Sequence, residues 1–175
     1  GMVPEHLGGV YAVDEIRIDL ERLARQAGVD FIQETATGLD PDARIVQTDG
    51  STDHPFDVLA VDVGGVNPAV PDGAVATKPI SRIRKLAPHL ERLLADPGAS
   101  LRLVIVGGGA AGVEIALNLT GRFQGAGRLH DLDLTIIEQD DRLLPGFPNG
   151  MRSYATEQLR ERGVSVQTKT MIRSV

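Results

Sequence analysis

The sequence contains no cysteine and no tryptophan, and aromatic residues make up only 3% of it. Without cysteine, disulfides, thiol catalysis and cysteine-ligated metal sites are excluded within these 175 residues. Without aromatic bulk, a core must be built from Val, Ile, Leu and Ala. Such a composition favours an α/β protein with a parallel sheet over an aromatic-lined β-sandwich.

Positive charge is also scarce, because 18 Lys and Arg residues stand against 24 Asp and Glu residues for a net charge of −6. The basic residues are scattered, so we expect neither nucleic acid nor an anionic membrane surface as a partner. The sequence has no run of about 18 apolar residues, and we expect no transmembrane segment. The four histidines lie far apart without ligand spacing, so we expect no metal site.

Apolar spacing in the N-terminal part predicts a helix followed by a small β-meander. Residues 14–27 place their apolar side chains on one stripe, with Asp14 as the candidate cap and Gly28 as the candidate end. Three strands are predicted after this helix, over residues 29–35, 43–48 and 56–63. Residues 64–78 are rich in Gly, Pro, Ala and Val, so we interpret them as a connection between domains.

The C-terminal part has a more regular pattern. Apolar residues between Ile80 and Leu94 recur at helical spacing, and Pro88 is expected to kink or divide that helix. Strands and helices then alternate over residues 101–106, 110–122, 132–138, 151–162 and 164–167. This β-α-β-α-β order predicts an α/β fold, namely the mononucleotide-binding half of a doubly wound, Rossmann-type sheet.

A glycine-rich turn is predicted between the first of these strands and its helix. It has the pattern Gly-x-Gly-x-x-Gly and consists of Gly107, Gly108, Gly109, Ala110, Ala111 and Gly112. The first glycine permits a tight turn, the second lets a pyrophosphate approach the backbone, and the third lets the helix lie against the strand. Free N–H groups and the positive dipole end of the helix would then face the phosphates. We therefore predict a dinucleotide-binding site at this turn.

An acidic residue, Glu138, ends the second strand. A carboxylate at this place can accept both hydroxyl groups of the adenosine ribose, and it would repel a 2′-phosphate. Glu138 lies 26 positions after Gly112, where about 20 is usual, and the loop 121–130 can absorb the difference. Because residues 139–141 are Gln-Asp-Asp, we predict a preference for NAD(H) over NADP(H), which Arg142 weakens without reversing.

Other protein classes also use glycine-rich turns. A methyltransferase typically has an acidic residue at the end of the first strand, where this sequence has Val106. A P-loop requires Gly-Lys followed by Ser or Thr, and these residues do not follow the glycines. Two alternatives stay open: a turn that serves packing alone, and a chain that keeps only its fold and associates through exposed surfaces.

The residues around the turn resemble a known family. Residues 106–116, Val-Gly-Gly-Gly-Ala-Ala-Gly-Val-Glu-Ile-Ala, are similar to the NAD-binding domain of the pyridine nucleotide-disulfide oxidoreductase superfamily of FAD- and NAD(P)-binding flavoproteins. Residues 138–145 and 162–166 also fit this family. Residues 56–65 and 78–80 resemble the strand beside the flavin and the start of the NAD domain. The runs Val-Asp-Val-Gly (residues 61–64) and Thr-Lys-Pro-Ile (residues 77–80) resemble the branch of type II NADH dehydrogenase-like and selenide, water dikinase-associated flavoproteins.

The resemblance implies roles for particular residues. Gly107, Gly109 and Gly112 would hold the NAD(H) pyrophosphate, and Glu138 would bind the adenosine ribose. Glu114 would lie near the nicotinamide, with a plain helix-dipole acid as its alternative.

Three further residues are implicated by the same resemblance. Asp62, Gly64 and Gly65 would adjoin the flavin, with an ordinary strand-to-loop turn as the alternative. Residues 1–78 would be a portion of an FAD-binding domain, and residues 79–175 would be an NAD(H)-binding domain truncated at its C-terminal end.

The resemblance also implies a function. The family's flavin fingerprint and its later Gly-Asp segment are missing, so we interpret the chain as an incomplete piece. The complete parent would be an FAD-dependent NAD(P)H oxidoreductase that passes hydride from NADH to flavin and then to a small-molecule or quinone acceptor. The alternative is a nucleotide-binding regulatory module without redox turnover. No catalytic residue is identified, because the cofactors carry the chemistry in this class. We expect a cytoplasmic location and leave peripheral membrane association and a homo-oligomer open.

Overall fold

The computed structural model describes residues 2–67, 70 and 73–172. Residue contacts divide the chain into two compact units. The smaller unit is Arg17–Gly64, and the larger unit combines Gly1–Ile16 with Gly65–Val175. Among the described residues, no helix combines the length and the apolar character that crossing a membrane requires.

The described residues form six α-helices, six strands and a short 3-10 helix at Leu129–Asp131. In chain order the α-helices and strands are α1 (Met2–Leu7), α2 (Leu20–Ala27), β1 (Ala36–Asp40), β2 (Ile45–Thr48), β3 (His54–Pro55), α3 (Ile80–Ile83), α4 (Leu86–Ala95), β4 (Leu101–Val106), α5 (Ala110–Gly125), β5 (Leu132–Ile137), α6 (Asn149–Glu161) and β6 (Ser165–Gln167). Mixed helices and strands with a parallel sheet make this an α/β protein.

The larger unit is built on a three-stranded parallel sheet with the order β4-β5-β6. β4 and β5 pair over their full length, from Leu101 opposite Leu132 to Val106 opposite Ile137. The two strands therefore end side by side, and the segments that follow them begin at the same edge of the sheet. The predicted β-α-β-α-β order is confirmed, and it is half of a doubly wound sheet.

Helix α5 is buried on two flanks. One flank packs against a cluster shared with β5 and α6, whose buried members are Val113, Ala116, Leu134, Ile136, Leu143, Leu144, Ala155, Leu159 and Val164. The other flank packs against a cluster shared with α1, α3 and α4, whose members are Leu7, Ile83, Ala87, Leu90, Ile115, Leu119 and Phe123. Because a fully buried apolar side chain contributes about 1.5–3 kcal/mol, both flanks hold α5 in place.

The helix predicted between Ile80 and Leu94 is divided, but the division is not at Pro88. α3 ends at Ile83 and α4 begins at Leu86, so the break at residues 84–85 lies three to four positions before the proline. Pro88 is the third residue of α4, and N–H groups in the first turn of a helix have no intrahelical acceptor to lose. The proline is therefore tolerated there, and the predicted position of the break was wrong.

The smaller unit is a helix followed by an antiparallel meander with the order β1-β2-β3. The α2 helix begins later than predicted, because Asp19 is its cap rather than Asp14. The Asp19 Oδ1 accepts a 2.9 Å hydrogen bond from the Arg22 N–H. Gly28 ends the helix with a φ of +68°, as predicted.

Two strands predicted in the smaller unit are wrong. Residues 29–35 are irregular and β1 follows them, while residues 56–63 are irregular and only the two-residue β3 precedes them. Val58 and Val63 are 90% and 84% exposed. A strand needs a neighbouring strand for its N–H and C=O groups. Within the described part of the chain, no strand pairs with either segment.

Candidate dinucleotide-binding site

The turn after β4 has the conformation that its first glycine predicts. Gly107 has a φ of +108°, which favours glycine over residues with a side chain. Its N–H group donates to the carbonyl oxygen of Ile137 at 2.8 Å, so the pairing of β4 and β5 extends into the turn. The chain then turns sharply and starts α5 at Ala110.

The last glycine of the pattern lies where the helix crosses the turn. A Cβ atom at Gly112 would overlap the carbonyl oxygen of Gly107, and it would lie 3.3 Å from Cγ2 of Ile105 on β4. A backbone carbonyl cannot move away as a flexible side chain can. The close packing of helix on strand therefore requires glycine at this position, in line with the sequence-based expectation.

The middle of the pattern is open. No atom of the described residues lies within 4 Å of a Cβ built on Gly109, which is the N-cap residue of α5. No side chain of the described residues caps this helix end, and the first N–H groups of a helix have no intrahelical acceptor. Ala110 and Ala111 therefore present N–H donors beside open space, together with the positive end of the helix dipole. This arrangement fits a diphosphate.

Glu138 follows β5 and is joined to the glycine turn. Glu138 is buried, with only 6% of its surface exposed. Its Oε2 accepts a 2.6 Å hydrogen bond from the Gly108 N–H, and its Oε1 accepts a 2.9 Å bond from the Asp140 N–H. The Gly108 N–H is thus used within the protein, whereas the sequence analysis had included it among the cofactor contacts, a role that stays a prediction.

The loop after Glu138 lies against the same turn, which the sequence analysis missed. The Leu144 N–H donates to the Gly108 carbonyl oxygen at 2.8 Å, and Leu144 has a φ of +53°. Leu143 is 3% exposed and packs over Gly108. The sequence signal for this contact is the pair of apolar residues that directly follows the polar run 138–142.

Roles were also predicted for Glu114, Asp62, Gly64 and Gly65. Glu114 is exposed on the second turn of α5, and its carbonyl oxygen accepts a 2.9 Å hydrogen bond from the Asn118 side chain. Asp62 and Gly64 are exposed in the irregular end of the smaller unit. Gly65, also exposed, opens the second segment of the larger unit. Their predicted roles beside the nicotinamide and the flavin stay predictions.

Arg142 lies in the same short segment as three acidic residues, Glu138, Asp140 and Asp141. The Arg142 Nε lies 2.6 Å from the Asp141 Oδ1. The basic side chain that weakened the predicted preference for NAD(H) is therefore paired with an acidic neighbour. Among the described residues, no group of three His, Asp or Glu side chains is arranged to hold a metal ion.

Comparison with known proteins identifies the family. The family described as pyridine nucleotide-disulphide oxidoreductase matches residues 6–175 of this chain. The chain belongs to the pyridine nucleotide-disulphide oxidoreductase family. The resemblance that the sequence analysis found in residues 106–116 is thereby confirmed.

Curated relatives are similar to the chain over nearly its whole length. A type II NADH:quinone oxidoreductase of Staphylococcus epidermidis is 27% identical over 185 residues, covering 96% of this chain and 46% of the relative. The chain thus spans about half the length of this curated relative.

Solved structures show the same fold. NDH2 of Plasmodium falciparum in complex with NADH has a TM-score of 0.81 at 18% identity, covering 99% of this chain and 41% of that protein. A NAD-dependent persulfide reductase of A. fulgidus has a TM-score of 0.75 at 25% identity, covering 99% of this chain and 32% of that protein. The predicted α/β fold class is confirmed.

Proposed function

We propose that the chain forms the NAD(H)-binding part of an FAD-dependent NAD(P)H oxidoreductase. The observation that carries the proposal is the open N-terminus of α5 at Gly109, at the sheet edge where Glu138 follows the neighbouring strand. An α/β sheet binds dinucleotides at this edge. NADH bound there would supply hydride for the flavin of the complete protein.

The backbone at the start of α5 would hold the diphosphate. Gly109 leaves room for close approach, and the N–H groups of Ala110 and Ala111 lie in the first turn of a helix that has no capping side chain among the described residues. The helix dipole adds about 0.3–1 kcal/mol for a negative charge at this end. These residues bind and orient the nucleotide, and they take no part in proton transfer.

Glu138 would select the adenosine ribose. Each carboxylate oxygen already accepts one N–H bond, from Gly108 and from Asp140, and each has capacity for one more donor. The ribose hydroxyl groups are such donors, whereas the 2′-phosphate of NADPH offers only negative charge. The pairing of Arg142 with Asp141 weakens the attraction of this arginine for that phosphate. We therefore propose that NAD(H) is preferred over NADP(H).

The remaining partners follow from the relatives. The curated relative is a type II NADH:quinone oxidoreductase, which supports a quinone as the acceptor, with another small molecule as the alternative. We propose that residues 1–78 are a portion of the FAD-binding domain and residues 79–175 the NAD(H)-binding domain, with Asp62, Gly64 and Gly65 beside the flavin. A cytoplasmic protein that associates peripherally with the membrane fits such an acceptor.

Nucleotide titration tests the proposal. NADH should bind the chain more tightly than NADPH when each is followed by its own fluorescence. Glu138→Gln should reduce the ratio of the NADPH to the NADH dissociation constant about tenfold, because a charge is removed while the shape of the side chain is kept. Glu157→Gln, an exposed glutamate of α6, is the matched control and should leave the difference unchanged.

Two results would contradict the proposal. If neither nucleotide binds, the assignment of the site is wrong. If both bind equally to the unaltered chain, the preference for NAD(H) is wrong. A longer form of the protein that contains the flanking sequence and remains colourless after purification would favour the regulatory alternative over a flavoprotein.

A further inference from the structure

Gly108, at a position where the glycine pattern allows any residue, is enclosed by two side chains. A Cβ atom built on Gly108 would overlap Cδ2 of Leu143, and it would lie 3.2 Å from Cβ of Glu138. Its backbone does not have a positive φ, so the conformation alone would accept alanine. An alanine at position 108 would therefore require the side chain of Leu143 to shift.

The loop that carries Leu143 is also bonded to both polar groups of Gly108. The Gly108 N–H donates to the Glu138 Oε2 at 2.6 Å, and the Gly108 carbonyl oxygen accepts from the Leu144 N–H at 2.8 Å. Leu144 makes its bond with a φ of +53°, a conformation that leucine adopts only where its surroundings require it. Gly108, Glu138 and the loop are thus one packed assembly.

We propose that Leu143 is a positioning residue that sets the selectivity of the site between NAD(H) and NADP(H). Its packing on Gly108 keeps the Gly108 N–H on the Glu138 carboxylate, so the negative charge stays where a 2′-phosphate would lie. This inference rests on the proposed function, since it concerns the same nucleotide.

The physical reason is the cost of moving the carboxylate. Glu138 could turn away from a 2′-phosphate only by giving up its bond from the Gly108 N–H, which would leave a buried donor without an acceptor. With Leu143 in place, the peptide of Gly108 cannot follow the carboxylate. Shortening this side chain gives the turn and Glu138 room to move apart, so NADPH becomes easier to accept and NADH is held less well.

The first experiment compares Leu143→Ala with Leu159→Ala in nucleotide titrations. Leu159 belongs to the same apolar cluster and is fully buried, so its removal destabilises the same core at a different point. Leu143→Ala should lower the ratio of the NADPH to the NADH dissociation constant about tenfold, the change expected when a hydrogen bond to a charged group weakens. Leu159→Ala should leave the ratio unchanged. The proposal is overturned if Leu143→Ala keeps the original ratio, or if both variants lower it equally.

The second experiment measures amide hydrogen exchange without nucleotide. Leu143→Ala should accelerate exchange at Gly108 more than at Gly107, whose N–H donates to a main-chain oxygen of Ile137. Leu159→Ala should not accelerate exchange at Gly108 more than at Gly107. Unchanged exchange at Gly108 in Leu143→Ala overturns the inference whether or not NADH binds. If exchange responds as expected while the unaltered chain binds no nucleotide, the proposed function is at fault instead.

A third variant tests the packing directly. Gly108→Ala should weaken NADH binding, because its Cβ would displace Leu143. The double variant Gly108→Ala with Leu143→Ala should recover part of that loss, since the obstructing atom is removed. A double variant that binds NADH as poorly as Gly108→Ala, and more poorly than Leu143→Ala alone, contradicts the positioning role of Leu143.

Discussion

The two units of the chain differ in whether their strand-like sequences find a neighbouring strand to pair with. In the larger unit, β4 and β5 pair over six residues each, and α5 covers them with two apolar clusters. In the smaller unit, residues 56–63 carry four valines and leucines with no strand beside them among the described residues. An apolar sequence therefore becomes a strand only where a neighbouring strand accepts its hydrogen bonds.

The two units should differ most in how much unfolding free energy is lost when an apolar side chain is shortened. Phe123 lies on α5 and is 1% exposed. Its substitution by alanine should lower the free energy of unfolding by about 3–5 kcal/mol. Val58→Ala, at a position that is 90% exposed, should change it by less than about 0.5 kcal/mol. Urea denaturation followed by circular dichroism measures both. Equal losses would show that residues 56–63 are buried in solution and would break the comparison.

A smaller effect is expected at the start of α5. Gly112→Ala should cost about 1–3 kcal/mol, because its Cβ meets the Gly107 carbonyl oxygen and the helix must shift. NADH affinity should fall as well, since the open N–H groups move with the helix.

Gly121 provides the control on the same helix. A Cβ at Gly121 meets no atom of the described residues within 4 Å. Gly121→Ala should therefore stabilise α5 by about 0.5–1 kcal/mol, since alanine favours helix over glycine. Thermal denaturation distinguishes the two, and a Gly112→Ala variant as stable as Gly121→Ala would remove the packing argument.

The smallest effect concerns pH and the smaller unit. Hydrogen bonds from Thr48 and His54 hold the pKa of Glu34 below its ordinary value. A carboxyl group with a lowered pKa stabilises the folded form at neutral pH, and this contribution is lost as the pH falls below the ordinary glutamate value. The protection of amides in β1 and β2 against exchange, relative to the intrinsic exchange rate at each pH, should therefore fall in that range.

Two observations would contradict this prediction. Glu34→Gln should flatten the pH dependence, because the titrating group is gone, and a profile identical to that of the unaltered chain would exclude Glu34 as its cause. In the larger unit, exchange at Leu134 should not follow the titration of Glu34. A common pH profile for both units would show that they unfold together.

Sequence patterns predicted the strands and helices from residue 101 onward well. Buried parallel strands leave short apolar runs such as residues 101–106, and α5 repeats its apolar residues at helical spacing, so each element carries its own signal. The division of the helix before Pro88 was misplaced, because proline is excluded only beyond the first turn. Residues 29–35 and 56–63 have the composition of strands, and no local pattern reports whether a partner is present.

The site was predictable only in part. The tasks of Gly107 and Gly112 follow from the pattern, since they depend on a turn and a crossing that the pattern itself defines. The bond from Gly108 to Glu138 depends on how the following loop returns to the turn. That return requires Leu144 in a conformation that its residue type disfavours, and sequence rules therefore give no warning of it.

The burial of α5 on both flanks has a consequence for ligand recognition. The helix cannot tilt as a body without displacing apolar side chains on both flanks, so the donors of its first turn are held in place before any nucleotide arrives. Little conformational freedom remains to be lost on association. Affinity at this helix end should then respond more to the charge of the ligand than to its capacity to induce order.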